Sequence, residues 1–332
     1  MGVNLRDLVI RREIEISDLQ GQKLAFDAYN IIFQFLATIR QRDGTPLKDS
    51  QGNVTSHLSG LFYRITNLLL EGIQPVFVFD GKPPQEKASV IEKREQIREK
   101  AREKHKEALA KGDHAEARKY GQQTSRLTQD MIRESKELLS AMGIPWVQAI
   151  SEGEAQAAYL CRQGLVWGMV SQDYDSLLFG TPRLVRNLTI SGRRKKQQTY
   201  IEIKPELIDL TETLNKLGLD VTSLIKVAVL VGTDYNQGVK GVGPKTALKI
   251  VKEKRFDEYK DQIKNADKIL ALFQKPPITT DYNLEWNPPN TKKIVNIMCD
   301  RHEFSKDRIE TQIKKLTTAK QKATQSGLGR FI

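Results

Sequence analysis

Only two cysteines, Cys161 and Cys299, occur in 332 residues, too few for a disulfide framework or a cysteine-built zinc site. Histidine is nearly as scarce. His57, His105, His114 and His302 do not accompany the acidic motifs described below, so histidine-rich metal chemistry has little support. No apolar run approaches the roughly 18 residues that a membrane span requires, and the opening MGVNLRDLVIRREIE carries charges where a signal peptide needs an apolar stretch. Gly2 is not read as a myristoylation signal, because Arg6 stands where that motif wants Ser or Thr. Internal repeats and low-complexity segments are also missing. These absences lead to the expectation of an intracellular folded protein without a membrane partner. With 39% hydrophobic residues the chain can bury a substantial core, as one large domain or two modest ones.

What the chain does have is positive charge. Fifty-three Lys and Arg stand against 41 Asp and Glu, a net +12 with a pI near 9.5, which favours a polyanionic partner such as nucleic acid. Residues 84–133 are rich in Lys and Arg, poor in large apolar side chains, and read as exposed helices. Within them Arg94, Arg98, Arg102 and Lys106 recur every four residues, beside Glu95, Glu99, Glu103 and Glu107. Two readings fit that pattern: a solvated helical arm laced by weak ion pairs, or a cationic gate over a substrate.

Elsewhere short apolar runs alternate with amphipathic helices: KLAFDAYNIIFQFLATIR, QPVFVFDG, GIPWVQAISEGEAQAAYLCRQG and GLVWGMVSQDYDSLLFG. That alternation predicts an α/β fold with a mainly parallel central sheet flanked by helices. Ligands of such sheets bind outside the carboxyl ends of the strands. The acids stand at those ends. Asp27 closes KLAFD, Asp80 closes PVFVFD, Glu152 and Glu154 follow PWVQAIS, and Asp173 and Asp175 follow a strand expected at 165–171. If the chain stays extended past that strand, Asp173 and Asp175 point the same way. Asp234 comes later, after the run VAVLV, which reads equally as helix or strand. Each acid also has a local explanation: Ser151 and Glu154 match the S-x-x-E capping box, and Asp27 and Asp80 suit the capping of a following turn.

Together they demand more. Seven carboxylates converging on one sheet edge cannot all remain ionised in a partly buried cleft without compensating positive charge. Bound divalent cations supply it, and all-oxygen ligation beside phosphates selects Mg²⁺, with Mn²⁺ as substitute. A pair of such ions suits phosphodiester hydrolysis.

Two further stretches stand out. GVKGVGPKTAL, residues 238–248, combines a Gly-rich turn with a Lys-bearing helix start and offers backbone N–H groups to a phosphate. It is not a nucleotide-binding P-loop, because Pro244 separates Gly243 from Lys245 and no strand precedes it. A helix-hairpin-helix-type turn gripping duplex backbone through Gly241, Gly243, Lys245 and Thr246 fits, as does a tight interhelical turn with a Gly cap. Between the acids and this turn, RLVRNLTISGRRKKQQTYIEI predicts a hairpin about Ser191 and Gly192, with GRRKK as a charged loop or a second phosphate contact. At the C-terminus the polar stretch TTAKQKATQ has little reason to fold alone, yet QSGLGRFI follows it. Gln325, Leu328 and Phe331 recur at helical-turn spacing, with Ile332 beside them. This is either a frayed end or an apolar anchor awaiting a groove.

Taken in order, MGVNLRDL, FDAYNIIFQFL, FVFDGKPPQEK, SEGEAQAAYL, SQDYDSLLFG and GTDYNQGVKGVGPKTAL closely resemble the flap endonucleases of the structure-specific 5′ nuclease family, across nearly the whole chain. The resemblance implies a PIN-like nuclease fold with a helical arch, and cleavage of branched DNA near the junction of a 5′ flap and duplex. It also implies 5′-3′ exonuclease action, a setting in replication and repair, and a monomer. It assigns two Mg²⁺ ions to Asp27, Asp80, Glu152, Glu154, Asp173, Asp175 and Asp234. It places Lys87 and Arg94 against the scissile phosphate, and Phe33 and Arg98 on the DNA. Phe33 stands where relatives often have Tyr, which removes a hydroxyl contact. A monovalent cation is implied near the 238–243 turn, although Gly238 replaces a Ser that some relatives place beside it. The tail spacing resembles the Q-x-x-L-x-x-aromatic peptide that binds the sliding clamp. The regions expected are 1–98 and 134–258 for the nuclease, 99–133 for the arch, 259–316 for a C-terminal helical part, and 317–332 for a flexible tail. The end without a basic extension favours an archaeal, cytoplasmic and nucleoid-associated protein over a nuclear one. The alternatives to weigh are a relative preferring gaps, nicks or four-way junctions, an RNA-cleaving relative, and a noncatalytic DNA-binding scaffold.

Overall fold

The computed structural model describes residues 2–190, 192–196 and 199–328. Its strands, in chain order, are β1 (Arg12–Glu13), β2 (Lys23–Asp27), β3 (Gln74–Phe79), β4 (Trp146–Gln148), β5 (Gly168–Val170), β6 (Arg183–Arg186), β7 (Gly192–Lys196), β8 (Thr199–Ile203) and β9 (Glu206–Asp209). Seven of them form one sheet in the order β1-β9-β6-β5-β2-β3-β4, and β7 and β8 form a separate antiparallel pair. The pairs β2–β3, β2–β5, β3–β4 and β5–β6 are parallel, whereas β9 runs antiparallel to both β1 and β6. The sheet is therefore mainly parallel, with one mixed edge.

Side-chain alternation along the central strands sorts the two faces. Leu24, Phe26, Phe77 and Phe79 point into a large core with the helices Ala28–Thr38 and Ile65–Leu70, and Phe26 stacks on Phe77 at 5.3 Å between ring centres. Ala25, Val76 and Val78 point the other way, onto Ala157, Leu160 and Cys161 of the helix Gly153–Arg162. A bulky aromatic face thus opposes a face of small residues, which lets that helix approach closely. A third core joins Val3, Leu5, Leu8 and Val9 to the helices Leu210–Leu217, Val221–Val231, Pro244–Lys252 and Ala266–Gln274. It pins the N-terminal segment to the body.

Several local expectations shift. The strand predicted at 165–171 shortens to β5, and the chain turns before Asp175, which opens the helix Asp175–Leu178. Asp173 and Asp175 therefore do not share an extended segment. The apolar run before Asp234 is helix, Val221–Val231, ended by Gly232 with φ +110°. The hairpin does not turn at Ser191 and Gly192. RLVR is drawn into the main sheet between β5 and β9, so the two-stranded unit is β7–β8, and the GRRKK run is a strand. The connection of β7 to β8 lies outside the described residues. Within the stretch 317–332 the helix Lys306–Leu328 continues as far as Leu328. Propagating an existing helix costs far less than nucleating one, and Ala, Lys and Gln are good helix formers. Phe331 and Ile332 lie outside the described residues. No element ends at 98 or 133, since the helices Ala88–Ala110 and Gln129–Ala141 run through those positions.

The exits of β3 and β4 are locked together at Gly81. Its N–H donates to the Ser151 carbonyl at 2.6 Å, and Lys82 N–H donates to the Ile150 carbonyl at 3.1 Å. A Cβ on Gly81 would run into the carbonyl oxygens of Ala149 and Ile150. Those atoms are backbone and cannot swing aside, so Gly81→Ala is expected to lower unfolding free energy by about 1–3 kcal/mol, measured by chemical denaturation. Unchanged stability would show that the two exits are not held this tightly.

Candidate active site

The parallel strands β2, β3, β4 and β5 end side by side, and the chain order reverses between β2 and β5. All seven acids line one cleft of about 510 Å³ there, together with Phe33, Lys87, Arg94 and Arg98. Asp27 caps the helix Ala28–Thr38, its Oδ1 accepting the Asn30 N–H at 3.0 Å, so its local and convergent readings both hold. Asp80 does not cap its own turn. It accepts the N–H of Gly153, the first residue of the helix that follows β4, at 2.7 Å. The expected capping box is not formed: Ser151 Oγ donates to the Lys82 carbonyl at 3.1 Å, and the buried Glu154 Oε1 has no hydrogen-bond partner. Glu154 faces the cleft because Gly153–Arg162 is capped from outside, by Asp80.

Asp173 and Asp175 are held by the N-terminus. Gly2 N–H donates to Asp173 Oδ1 at 3.3 Å and Val3 N–H to Asp175 Oδ1 at 2.6 Å, while a Cβ at Gly2 would meet the Asp175 carboxylate at 2.5–2.7 Å. Asn30 Nδ2 donates to Asp173 Oδ2 at 2.9 Å, and its Oδ1 accepts the Gln172 N–H at 3.3 Å. From the other side Arg186 donates to the Gln172 carbonyl at 3.1 Å and to the Tyr174 hydroxyl at 2.6 Å. These residues were not singled out by sequence reasoning. Asn30 left a faint signal, a short polar side chain in the first turn of a mainly apolar helix. Arg186 left none, because only strand pairing brings it to the 171–175 turn.

Two cations reach down from the 84–133 segment. Lys87 Nζ donates to Glu152 Oε2 and lies 5.5 Å from the centre of the buried Tyr235 ring. Arg94 contacts both Asp234 oxygens at 2.8 Å. On the helix Ala88–Ala110, Arg98 pairs with Glu95 at 2.5 Å and Arg102 with Glu99 at 2.8 Å. The ion-pair lacing and the cationic lining therefore coexist. Ile97, Gln122, Gln123 and Ser125 complete the roof, and Tyr29 part of the wall.

The electrostatics follow from crowding. Burial and then Asp80 hold Asp27 well above the usual carboxylate range. Burial and then Asp175 do the same to Glu154. Burial and Glu152 raise Asp80 to about 6, against the opposing pull of Lys87. Burial and Asp234 raise Asp175 to about 7. For Lys87 burial works toward neutrality, but Glu152 outweighs it and keeps the ammonium charged. Among the described residues, no three His, Cys, Asp or Glu side chains are arranged as a ready metal cage. The carboxylates are instead held by N–H groups, Lys87 and Arg94. Their chemistry nevertheless fits hard divalent cations: the donors are all oxygen, negative charge is in excess, and Glu154 Oε1 is buried without a partner. Mg²⁺ keeps several waters and needs few direct carboxylates.

The Gly-rich turn sits away from this cleft. Gly238 and Gly241 have φ of +71° and +82°, and Gly243 caps the helix Pro244–Lys252 with Pro at its first turn. Lys245 and Thr246 are exposed there. Gln325 and Leu328 lie in the last turns of Lys306–Leu328.

Residues 2–101 match the XPG N-terminal domain and residues 143–234 match the XPG I-region. The chain is 54% identical over 334 residues to the flap endonuclease 1 of Pyrococcus abyssi, covering 99% of this chain and 97% of that protein. To the flap endonuclease 1 of Staphylothermus marinus it is 53% identical over 333 residues, covering 96% and 95%. Its fold is similar to flap endonuclease-1 from Methanococcus jannaschii, with a TM-score of 0.78 at 41% identity over 96% of this chain and 98% of that one. It is also similar to the catalytic core of Rad2 in complex with DNA substrate, with a TM-score of 0.69 at 26% identity over 95% and 100%.

Raised carboxylate pKa values have a stability consequence with a definite sign. Between the unfolded value near 4 and the folded values of about 6 and 7, the folded state keeps protons that the unfolded chain has released. Stability from these groups therefore falls as pH rises through that window. In metal-free buffer, Asp175→Asn is expected to gain stability relative to the wild type between about pH 5 and about pH 8, read from denaturation midpoints. A stability difference independent of pH would remove Asp175 from the repelling cluster.

Proposed function

Because this chain belongs to the flap endonuclease 1 family, we propose that it hydrolyses a phosphodiester bond of branched DNA near the junction of a 5′ flap and duplex, with 5′-3′ exonuclease action as a lesser activity. The observation that carries this reading is the meeting of seven carboxylates, Lys87 and Arg94 in one cleft at the carboxyl ends of parallel strands. A DNA-binding scaffold would gain nothing from so many carboxylates facing phosphates.

Asp27, Asp80, Glu152, Glu154, Asp173, Asp175 and Asp234 would hold two Mg²⁺ ions, for which Mn²⁺ can substitute. Such ions, when bound, make a water nucleophilic near neutral pH and stabilise the attacking and leaving oxygens. Lys87 and Arg94, paired here with Glu152 and Asp234, offer charge to the phosphate where negative charge develops. Phe33 gives a base a stacking face and Arg98 a phosphate contact. The turn around Gly241 and Gly243, with Lys245 and Thr246, holds duplex backbone without reading sequence, and a monovalent cation at 238–243 would strengthen that grip.

The test is single-turnover cleavage of an end-labelled double flap in Mg²⁺. Asp173→Ala is expected to abolish cleavage while binding persists, and Lys87→Ala or Arg94→Ala to slow it by about 10²-fold or more. Full activity of Asp173→Ala would remove that acid from the site. Normal rates for the cation variants at saturating protein would make them positioning groups only.

The tail carries a separate part of the proposal. Gln325 and Leu328 are about one turn apart in the last turns of the helix Lys306–Leu328, and Phe331 and Ile332 follow in the sequence. We assign them to the sliding clamp. Deleting residues 325–332 is expected to abolish clamp binding in calorimetry and leave clamp-free cleavage near normal. Unchanged affinity would dissociate the tail from the clamp.

A further inference from the structure

A second cleft, of about 810 Å³, lies beyond the edge strand β4 and has the opposite electrical character. Arg133 and Lys136 of the helix Gln129–Ala141, Lys292 and Lys293 of the helix Thr291–Val295, and Arg301 line it around Trp146. One carboxylate, Glu137, faces these five cations, and it is taken by Arg301 at 2.8 Å. Arg133 pairs outside the cleft with Asp130 at 2.7 Å. Lys292 and Lys293 are exposed and make no ion pair among the described residues. Scattered surface lysines are ordinary solvated groups. This set is different because residues remote in sequence are gathered into one concavity, where their like charges repel unless an anion lies between them.

Resting on the flap-cleaving function proposed above, we propose that this cleft holds the single-stranded part of the substrate, the 5′ flap beyond the carboxylate site. Three observations favour a single nucleic-acid strand over an acidic peptide or a duplex. The half-buried Trp146 stands among the cations, its Nε1 donating to Ser140 Oγ at 2.9 Å and Lys136 Nζ lying 4.6 Å from its ring. Aromatic surface within a cationic groove suits bases and phosphates together, whereas a run of carboxylates uses only the charge. A cleft of about 810 Å³ with an aromatic side chain in its lining takes unpaired bases of one strand, whereas a duplex keeps its bases paired inward and offers such a cleft only backbone. The two clefts also adjoin. Lys136 donates to Gln148 Oε1 at 2.5 Å, and Gln148 Nε2 donates to the Asp80 carbonyl at 2.7 Å. Ser125, which lines the carboxylate cleft, precedes by four residues the helix that supplies Arg133 and Lys136.

The experiment uses the full chain and two double-flap DNAs, one with a 5′ flap of about 2 nucleotides and one of about 30, longer than a typical single-strand site. Binding is followed by fluorescence anisotropy in EDTA over a range of salt concentrations. For Lys292→Glu with Lys293→Glu, affinity for the long flap is expected to fall by about tenfold or more, and its log–log salt slope to flatten by about 1.4, two phosphate contacts at 0.7 each. Affinity for the short flap and its Mg²⁺-dependent cleavage rate should stay at wild-type values. The milder pair Lys292→Ala with Lys293→Ala should flatten the slope similarly, which guards against a folding defect in the charge reversal. Equal losses for both flaps would mean duplex contact and overturn the proposal. So would unchanged binding of both, or poly-glutamate binding that depends on these lysines while the long flap does not. Failure of the wild type to cut either flap would instead count against the proposed function.

Discussion

The constraint on which the rest of this structure depends is the repulsion among carboxylates confined at the carboxyl ends of four adjacent parallel strands. Parallel strands end together, so acids placed one per strand end arrive within a few ångströms of one another and away from water. The fold meets this by supplying donors from separated parts of the chain. Asn30 comes from the helix after β2, Gly153 from the helix after β4, and Gly2 and Val3 from the N-terminal segment. That segment can serve because Val3, Leu5 and Leu8 are buried in the core beneath the C-terminal helices. Even so, the donors do not balance the charge, and raised proton affinities remain. Natural proteins tolerate such local destabilisation where a site needs it.

The same excess of negative charge accounts for how the arm sits. The helix Ala88–Ala110 has few large apolar side chains, so burial contributes little to holding it over the cleft. It packs against the helix His114–Gln123, which in turn meets the body where Gly121 and Arg118 approach Gly44. At its base, Lys87 bonds Glu152 and Arg94 bonds Asp234, so two ion pairs tie arm to floor. Lys87 is further confined by the face of Tyr235, itself fixed edge-on to Phe273 at 5.3 Å. Under the function proposed above, an entering phosphate would compete for these same two cations, which would couple substrate binding to the release of Glu152 and Asp234 from their internal partners.

Charge of the other sign is placed with equal economy. Among the described residues the carboxylate cleft is lined by three cations, Lys87, Arg94 and Arg98, and further positive side chains are collected along the arm, at the Gly-rich turn and beyond β4. A molecule with a net charge of +12 can thus keep an acidic centre without repelling a polyanion from its surface. The surrounding positive potential favours a polyanion such as DNA.

What the sequence by itself determined is whatever depends on local periodicity and on residue chemistry. The continuous apolar runs KLAFD and QPVFVF specify buried parallel strands, since no other short element buries both faces, and the acids that close them were readable as a set. The apolar run ahead of Asp234 was ambiguous by pattern, and packing under the N-terminal segment made it helix. Tertiary structure alone decided which partners meet. Ser151 and Glu154 satisfy a capping pattern, yet Asp80 from a neighbouring strand takes the free N–H of Gly153 and leaves Glu154 to the cleft. RLVR carries the alternation of a hairpin strand, yet its place between β5 and β9 moves the hairpin onward and brings Arg186 to the turn that bears Asp173 and Asp175. The physical reason is the same in each case. A local pattern states what a segment can bury or bond, but competing partners of similar strength lie tens to hundreds of residues away, and only the packed chain chooses among them.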